Sequence, residues 1–144
     1  AVDEEGALDP QSPYAQSKLQ AEMLCRSYAE NYGVKSTVLR IFNVYGPGQD
    51  RNYIIPYIAE CILADQTAVV HNPQSARDHI YITDVVAALK AAAAQDARFD
   101  IFNVGTGAVC SNTQLIEKIE QVVGKDLSWE KKGGGALTIS PWST

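Results

Sequence analysis

The sequence predicts an α/β fold. Apolar residues recur at three- and four-residue spacing in several long segments, short β-branched runs lie between them, and Gly or Pro marks most of the junctions. Helices alternating with strands in this way build layered α/β domains.

The elements follow in order. Residues 1–11, acidic with Gly and Pro, read as loop. Ser12-Pro13 opens a helix, with Ser as N-cap and Pro at the first helical position, where its missing N–H costs nothing. Ala15, Leu19, Met23, Leu24, Tyr28 and Tyr32 carry that helix to about Asn31, and Gly33 stops it. Residues 36–42 (STVLRIF) suit a strand buried on both faces of a parallel sheet. Residues 43–52 read as loop. Pro56 starts a second helix, residues 67–71 form a short strand, Asn72-Pro73 a turn and residues 79–82 another strand. Thr83 caps a helix through Ala94, and residues 99–104 are a strand ending at the turn Gly105-Thr106-Gly107. Ser111 to Gln114 fits a capping box, opening a helix that Gly124 ends. Residues 127–131 are a last strand, and the Gly-rich tail has little pattern.

Bulk properties exclude several classes. The chain has 144 residues, enough for a sizeable core. Its formal net charge is -5, without a basic stripe, so nucleic acid is not an expected partner and a phosphate-bearing ligand needs a local cationic spot. No apolar run approaches the ~20 residues of a membrane span, and no signal peptide is present, so no membrane partner is expected. Cys25, Cys61 and Cys110 are odd in number and widely spaced, which predicts reduced thiols in a cytoplasmic protein and no metal site. His71 and His79 lack metal-ligand spacing and read as structural.

The chemistry-bearing pattern is Tyr14 with Lys18. Four residues apart at a helix start, the two share a face about 6 Å apart along the axis. A neighbouring ammonium and a helix N-terminus both favour a phenolate, which fits a tyrosine for proton exchange with a sugar hydroxyl. Alone, the pair is more simply an exposed helix couple. Its surroundings weigh against that reading. SPYAQSK, a long helix, LRIFNVYGPGQ, then ARDHIYITDVV and FNVGTGAVCSNTQLIEKI stand in this order over about residues 3–130. Together they resemble the extended short-chain dehydrogenases/reductases, the NAD-dependent nucleotide-sugar epimerase/dehydratase family, in its C-terminal portion.

The resemblance implies a partial Rossmann-type sheet with the Tyr-x-x-x-Lys helix, plus a small α/β substrate-binding lobe. It implies residues 1–52 as remnant of the dinucleotide-binding domain, 53–131 as the nucleotide-sugar lobe and 132–144 as a poorly ordered tail. Tyr14 is then the acid/base for hydride transfer at a sugar carbon, and Lys18 holds the nicotinamide ribose. Asn43 and Arg77 address the diphosphate, and Val70 lies near the base. Simpler roles stand beside these: Asn43 as a loop cap, Arg77 as an ion-pair partner of Asp78, Asp84 as a first-turn acid.

The Gly-rich turn that opens the family's NAD-binding half does not occur in this sequence. Gly46-Pro47-Gly48 cannot replace it, because Pro has no N–H. His71-Asn72-Pro73-Gln74 also stands where relatives have a Gly-Asp-Gly turn. NAD is thus the cofactor the resemblance implies, but it is not expected to bind this chain alone. The alternative function is a truncated, non-catalytic binding or assembly module. Apolar surface left bare on the Tyr14 helix and on the edge of its strand predicts self-association.

Overall fold

The computed structural model describes residues 3–132. In chain order the elements are α1 (Pro13–Tyr32), β1 (Ser36–Ile41), β2 (Asn43–Tyr45), α2 (Ile54–Leu63), β3 (Ala68–His71) and β4 (Ala76–Tyr81). They continue with α3 (Ile82–Ala93), β5 (Phe99–Val104), β6 (Val109–Ser111), α4 (Asn112–Val123) and β7 (Trp129–Lys132).

The described residues form two compact units, 3–44 with 80–107 and 45–79 with 108–132. Contacts change unit at three places along the described chain, after residues 44, 79 and 107. The cause is parallel pairing, which needs a long crossover before the second strand can return. Each unit is accordingly built from two chain segments. The tail from residue 133 onward lies outside the described residues.

In the first unit β1 and β5 run parallel, from Ser36 opposite Phe99 to Ile41 opposite Val104. Helices α1 and α3 both pack against β1. The strand is half-buried along its whole length, not fully buried as its apolar run predicts, because the described sheet has only this one partner strand. Helix α1 begins and ends as expected. Ser12 Oγ accepts the Ala15 N–H at 3.1 Å, and Gly33 takes the left-handed conformation at φ 70°.

The second unit holds the densest core. Ile58, Cys61 and Ile62 of α2 pack with Ala68 and Val70 of β3, Ile116 of α4 and Leu127. Strands β3 and β7 pair in parallel, while β4 and β6 pair antiparallel with Arg77 opposite Cys110. At the start of α4 the capping box is complete: Ser111 Oγ accepts the Gln114 N–H at 3.2 Å and Gln114 Oε1 accepts the Ser111 N–H at 2.9 Å.

Several expectations shift. Helix α2 starts at Ile54, and Pro56 sits in its first turn, where the ring is tolerated. Helix α3 starts at Ile82 with Tyr81 in the cap position, so Thr83 lies inside the helix and Asp84 in its first turn. Asn43–Tyr45 is strand, not loop, and Val109–Ser111 is a strand the sequence did not announce.

Candidate active site

Tyr14 and Lys18 lie in the first turns of α1. The Lys18 ammonium stands 5.2 Å from the centroid of the Tyr14 ring, so the two side chains do meet. Tyr14 is 53% exposed. The Ser17 hydroxyl donates to the Tyr14 carbonyl at 2.7 Å.

The other residues are placed as follows. Asn43 opens β2 in the first unit and is half-buried. Arg77 lies on β4 in the second unit, with Nη1 donating to the Ala76 carbonyl at 2.9 Å. Asp78, next to Arg77 on β4, is buried. Val70 is only 2% exposed, and its side chain belongs to the core. After β3, Asn72 adopts a left-handed φ of 49°. Helix α4 holds this turn: Asn112 Nδ2 donates to the Asn72 carbonyl at 3.1 Å, and the Thr113 N–H to the Pro73 carbonyl at 3.1 Å. Nothing in the sequence reading singled out Asn112 and Thr113; their place at the opening of a capping box was the available signal.

A second arrangement also escaped the sequence reading. Arg40 of β1 forms a two-point pair with Glu22 of α1, Nε to Oε2 at 2.9 Å and Nη2 to Oε1 at 2.6 Å. Their side chains are 9% and 12% exposed. Arg40 Nη1 also donates to the Glu4 carbonyl at 2.9 Å, and Glu4 Oε1 accepts the Asn103 N–H at 2.7 Å. A charged residue inside an otherwise apolar strand was the signal for it.

His79 follows Arg77 by two on β4, so the two share a strand face. Its Nε2 is buried with no partner among the described residues. Burial lowers its pKa below the ordinary 6.5; Asp78 opposes this, while Arg77 and Lys118 push the same way. A lowered folded-state value makes stability fully present above 6.5 and lost as the pH falls below it, because the unfolded chain takes the proton first. We therefore expect the urea midpoint to fall on acidification through this range, and His79→Gln to flatten that slope. An unchanged slope in the variant would contradict the assignment.

Among the described residues no three His, Cys, Asp or Glu side chains group to hold a metal, and no helix is long and apolar enough to cross a membrane. Tyr14 and Lys18 put a phenol and an ammonium together on one helix face, groups whose chemistry suits hydrogen bonds to a diol such as a ribose. Among the described residues no Gly-rich turn joins a strand to a helix N-terminus: β1 runs into β2, and β5 passes Gly105 and Gly107 into β6.

A parallel α/β unit with Tyr-x-x-x-Lys at the head of α1 defines the class, and the model of the NAD dependent epimerase/dehydratase family matches residues 1–105; the chain belongs to that family. Among curated relatives it is 36% identical over 126 residues to the dTDP-4-dehydro-6-deoxyglucose reductase of Escherichia coli, covering 85% of this chain and 40% of that protein. To the dTDP-D-glucose 4,6-dehydratase of Homo sapiens it is 32% identical over 122 residues, covering 84% and 35%. The chain thus spans well under half the length of these relatives. Among solved structures, the UDP-N-acetylglucosamine 4-epimerase of Methanobrevibacter ruminantium M1, in complex with UDP-N-acetylmuramic acid, aligns with TM-score 0.83 at 30% identity, covering 94% of this chain and 46% of that one. The UDP-glucose 4-epimerase of Thermus thermophilus, complexed with NAD, aligns at 0.77 and 28%, covering 97% and 51%.

Proposed function

We propose that this chain is the C-terminal part of an NAD-dependent nucleotide-sugar epimerase/dehydratase, and that Tyr14 is its acid/base. The observation that carries the reading is the contact of the Lys18 ammonium with the Tyr14 ring, on an exposed helix face. NAD, when bound, supplies the acceptor and donor of hydride at a sugar carbon. Tyr14 Oη takes the proton from the neighbouring sugar hydroxyl and returns it. Lys18 donates to the ribose. Asn43 offers an amide donor to phosphate oxygens, and Arg77 a guanidinium fork suited to them. Val70 acts through the position of β3 and the turn after it, since its side chain is committed to the core. Residues 1–52 are then the remnant of the dinucleotide-binding domain with its Tyr/Lys helix, and 53–131 the nucleotide-sugar-binding lobe. Tyr14 and Lys18 are read as contacts to the ribose end of NAD, and the sequence has no Gly-rich turn for its pyrophosphate, so this chain alone is expected to bind NAD negligibly. Met23, Leu24, Tyr28 and Tyr32, all more than half exposed on α1, support self-association.

The test is a product assay. The protein, expressed in its full reading frame, is supplied with NAD and UDP- or dTDP-hexoses. A C4 epimer or a dehydrated 4-keto sugar is expected. Nucleotide-sugar binding without turnover of any of them would favour the binding-module reading instead.

A further inference from the structure

We propose that Arg40 is a positioning residue that sequesters Glu22 and so keeps Lys18 with Tyr14. The inference rests on the reading of Tyr14 and Lys18 as the proton-transfer pair, and it deepens that reading.

Glu22 stands four residues beyond Lys18 on α1. At that spacing a lysine and a glutamate are natural partners on a helix. Lys18 nonetheless stacks one turn the other way, over Tyr14. The reason lies on β1. Both carboxylate oxygens of Glu22 are taken by Arg40, through Nε and Nη2, in a fork that also holds the Glu4 carbonyl. The pair is nearly buried, so it is little screened by solvent. Without Arg40, Glu22 would keep its charge in a poorly solvated place; of the two cations four residues away on α1, Arg26 is engaged over the Phe99 ring, which leaves Lys18 to relieve it. That exchange would draw the ammonium away from Tyr14.

The same pair also orients the helix. Ala15, Glu22 and Ala29 repeat every seven residues and fall on one stripe; both alanines are buried. A carboxylate at the centre of a buried stripe is an unusual choice, since an apolar residue there would pack as well. The apolar side chains Met23, Leu24, Tyr28 and Tyr32 are exposed, so apolar burial alone gives α1 little rotational preference. Arginines supply direction instead. Arg98 Nε donates to the Ala29 carbonyl at 2.7 Å, and the Arg26 guanidinium lies 4.5 Å from the Phe99 ring centroid. Arg40 and Glu22 fix the half of α1 that carries Tyr14 and Lys18.

The test compares Arg40→Met, Glu22→Gln and the double variant Arg40→Met with Glu22→Leu, in the full protein. The contact is read as the nuclear Overhauser effect between the Lys18 ε-methylene and the Tyr14 ring, with the thermal midpoint measured in parallel. Arg40→Met should weaken the effect by at least about fivefold, as a charge-assisted bond to an unpaired carboxylate implies. Glu22→Gln and the double variant remove the competitor, so both should keep the effect within about twofold of wild type. This opposite behaviour of single and double variants is not what a purely structural role produces. An unchanged effect in folded Arg40→Met overturns the proposal. So does its loss in Glu22→Gln or in the double variant, and these two decide the matter if Arg40→Met does not fold. The contact is measured independently of turnover. Full activity in Tyr14→Phe would remove the catalytic reading and leave the contact result standing.

Discussion

Tyr14→Phe should lower turnover of the nucleotide sugar by roughly a hundredfold to ten-thousandfold, the usual contribution of a positioned acid/base. The ring, its packing and its contact with the Lys18 ammonium all survive the change; only the exchangeable proton goes. KM should therefore move little. A loss in turnover at constant KM is the signature of an interaction made in the transition state and not in binding. Steady-state kinetics on the protein in its full reading frame checks this. A rise in KM at unchanged kcat would assign Tyr14 to binding instead.

Ile58→Ala should be the most damaging single truncation in the second unit. Ile58 is fully buried, beside Cys61, Ile62, Ala68, Val70, Ile116 and Leu127. Three elements, α2, β3 and α4, supply most of those neighbours, so none can collapse inward without disturbing the others. Removing the side chain costs its transfer free energy plus the cavity left behind, about 2–5 kcal/mol. That is a large share of the stability of a whole domain. Chemical denaturation should show the midpoint falling at unchanged m-value. A cost below about 1 kcal/mol would mean that the packing around α2 is looser than these contacts imply.

How much of this was legible in the sequence depended on how local each signal is. Ser12 with Pro13, Gly33, and Ser111 with Gln114 are each read from a few neighbouring residues, and they mark helix ends where expected. The strand at Phe99–Val104 was also found in place, because an apolar run bounded by Gly105 needs no partner to be recognised. Three-residue strands such as Asn43–Tyr45 and Val109–Ser111 carry too little periodicity to stand out from loop. The start of α3 was misplaced because Thr83 has the chemistry of a cap, while the chain turns two residues earlier without one. The order of the two units was hidden for another reason. Only pairing partners far apart in sequence, Ser36 with Phe99 and Ala68 with Trp129, decide which segments belong together.

The site divides along the same line. Tyr14 and Lys18 were legible because one helix carries both and fixes their spacing. Glu22 with Arg40 was not, because helix and strand meet only once the chain is folded. Val70 was matched in sequence to a place near the base, yet its side chain packs in the core beside Ile58 and Ile62. A sequence match fixes a position along the chain and leaves open which way the side chain points. His79 likewise read as structural, and the burial that lowers its pKa appears only with the packing around it.

The most direct test of the proposed catalytic role is a crystal structure of the protein, in its full reading frame, with NAD and a nucleotide sugar. Tyr14 Oη should then lie within roughly 2.6–3.2 Å of a sugar hydroxyl, the reach a proton-transferring group needs, with Lys18 on the nicotinamide ribose and donors of Asn43 and Arg77 on the diphosphate. A nucleotide sugar bound with its reacting hydroxyl away from Tyr14, or with Arg77 facing no phosphate, would contradict it.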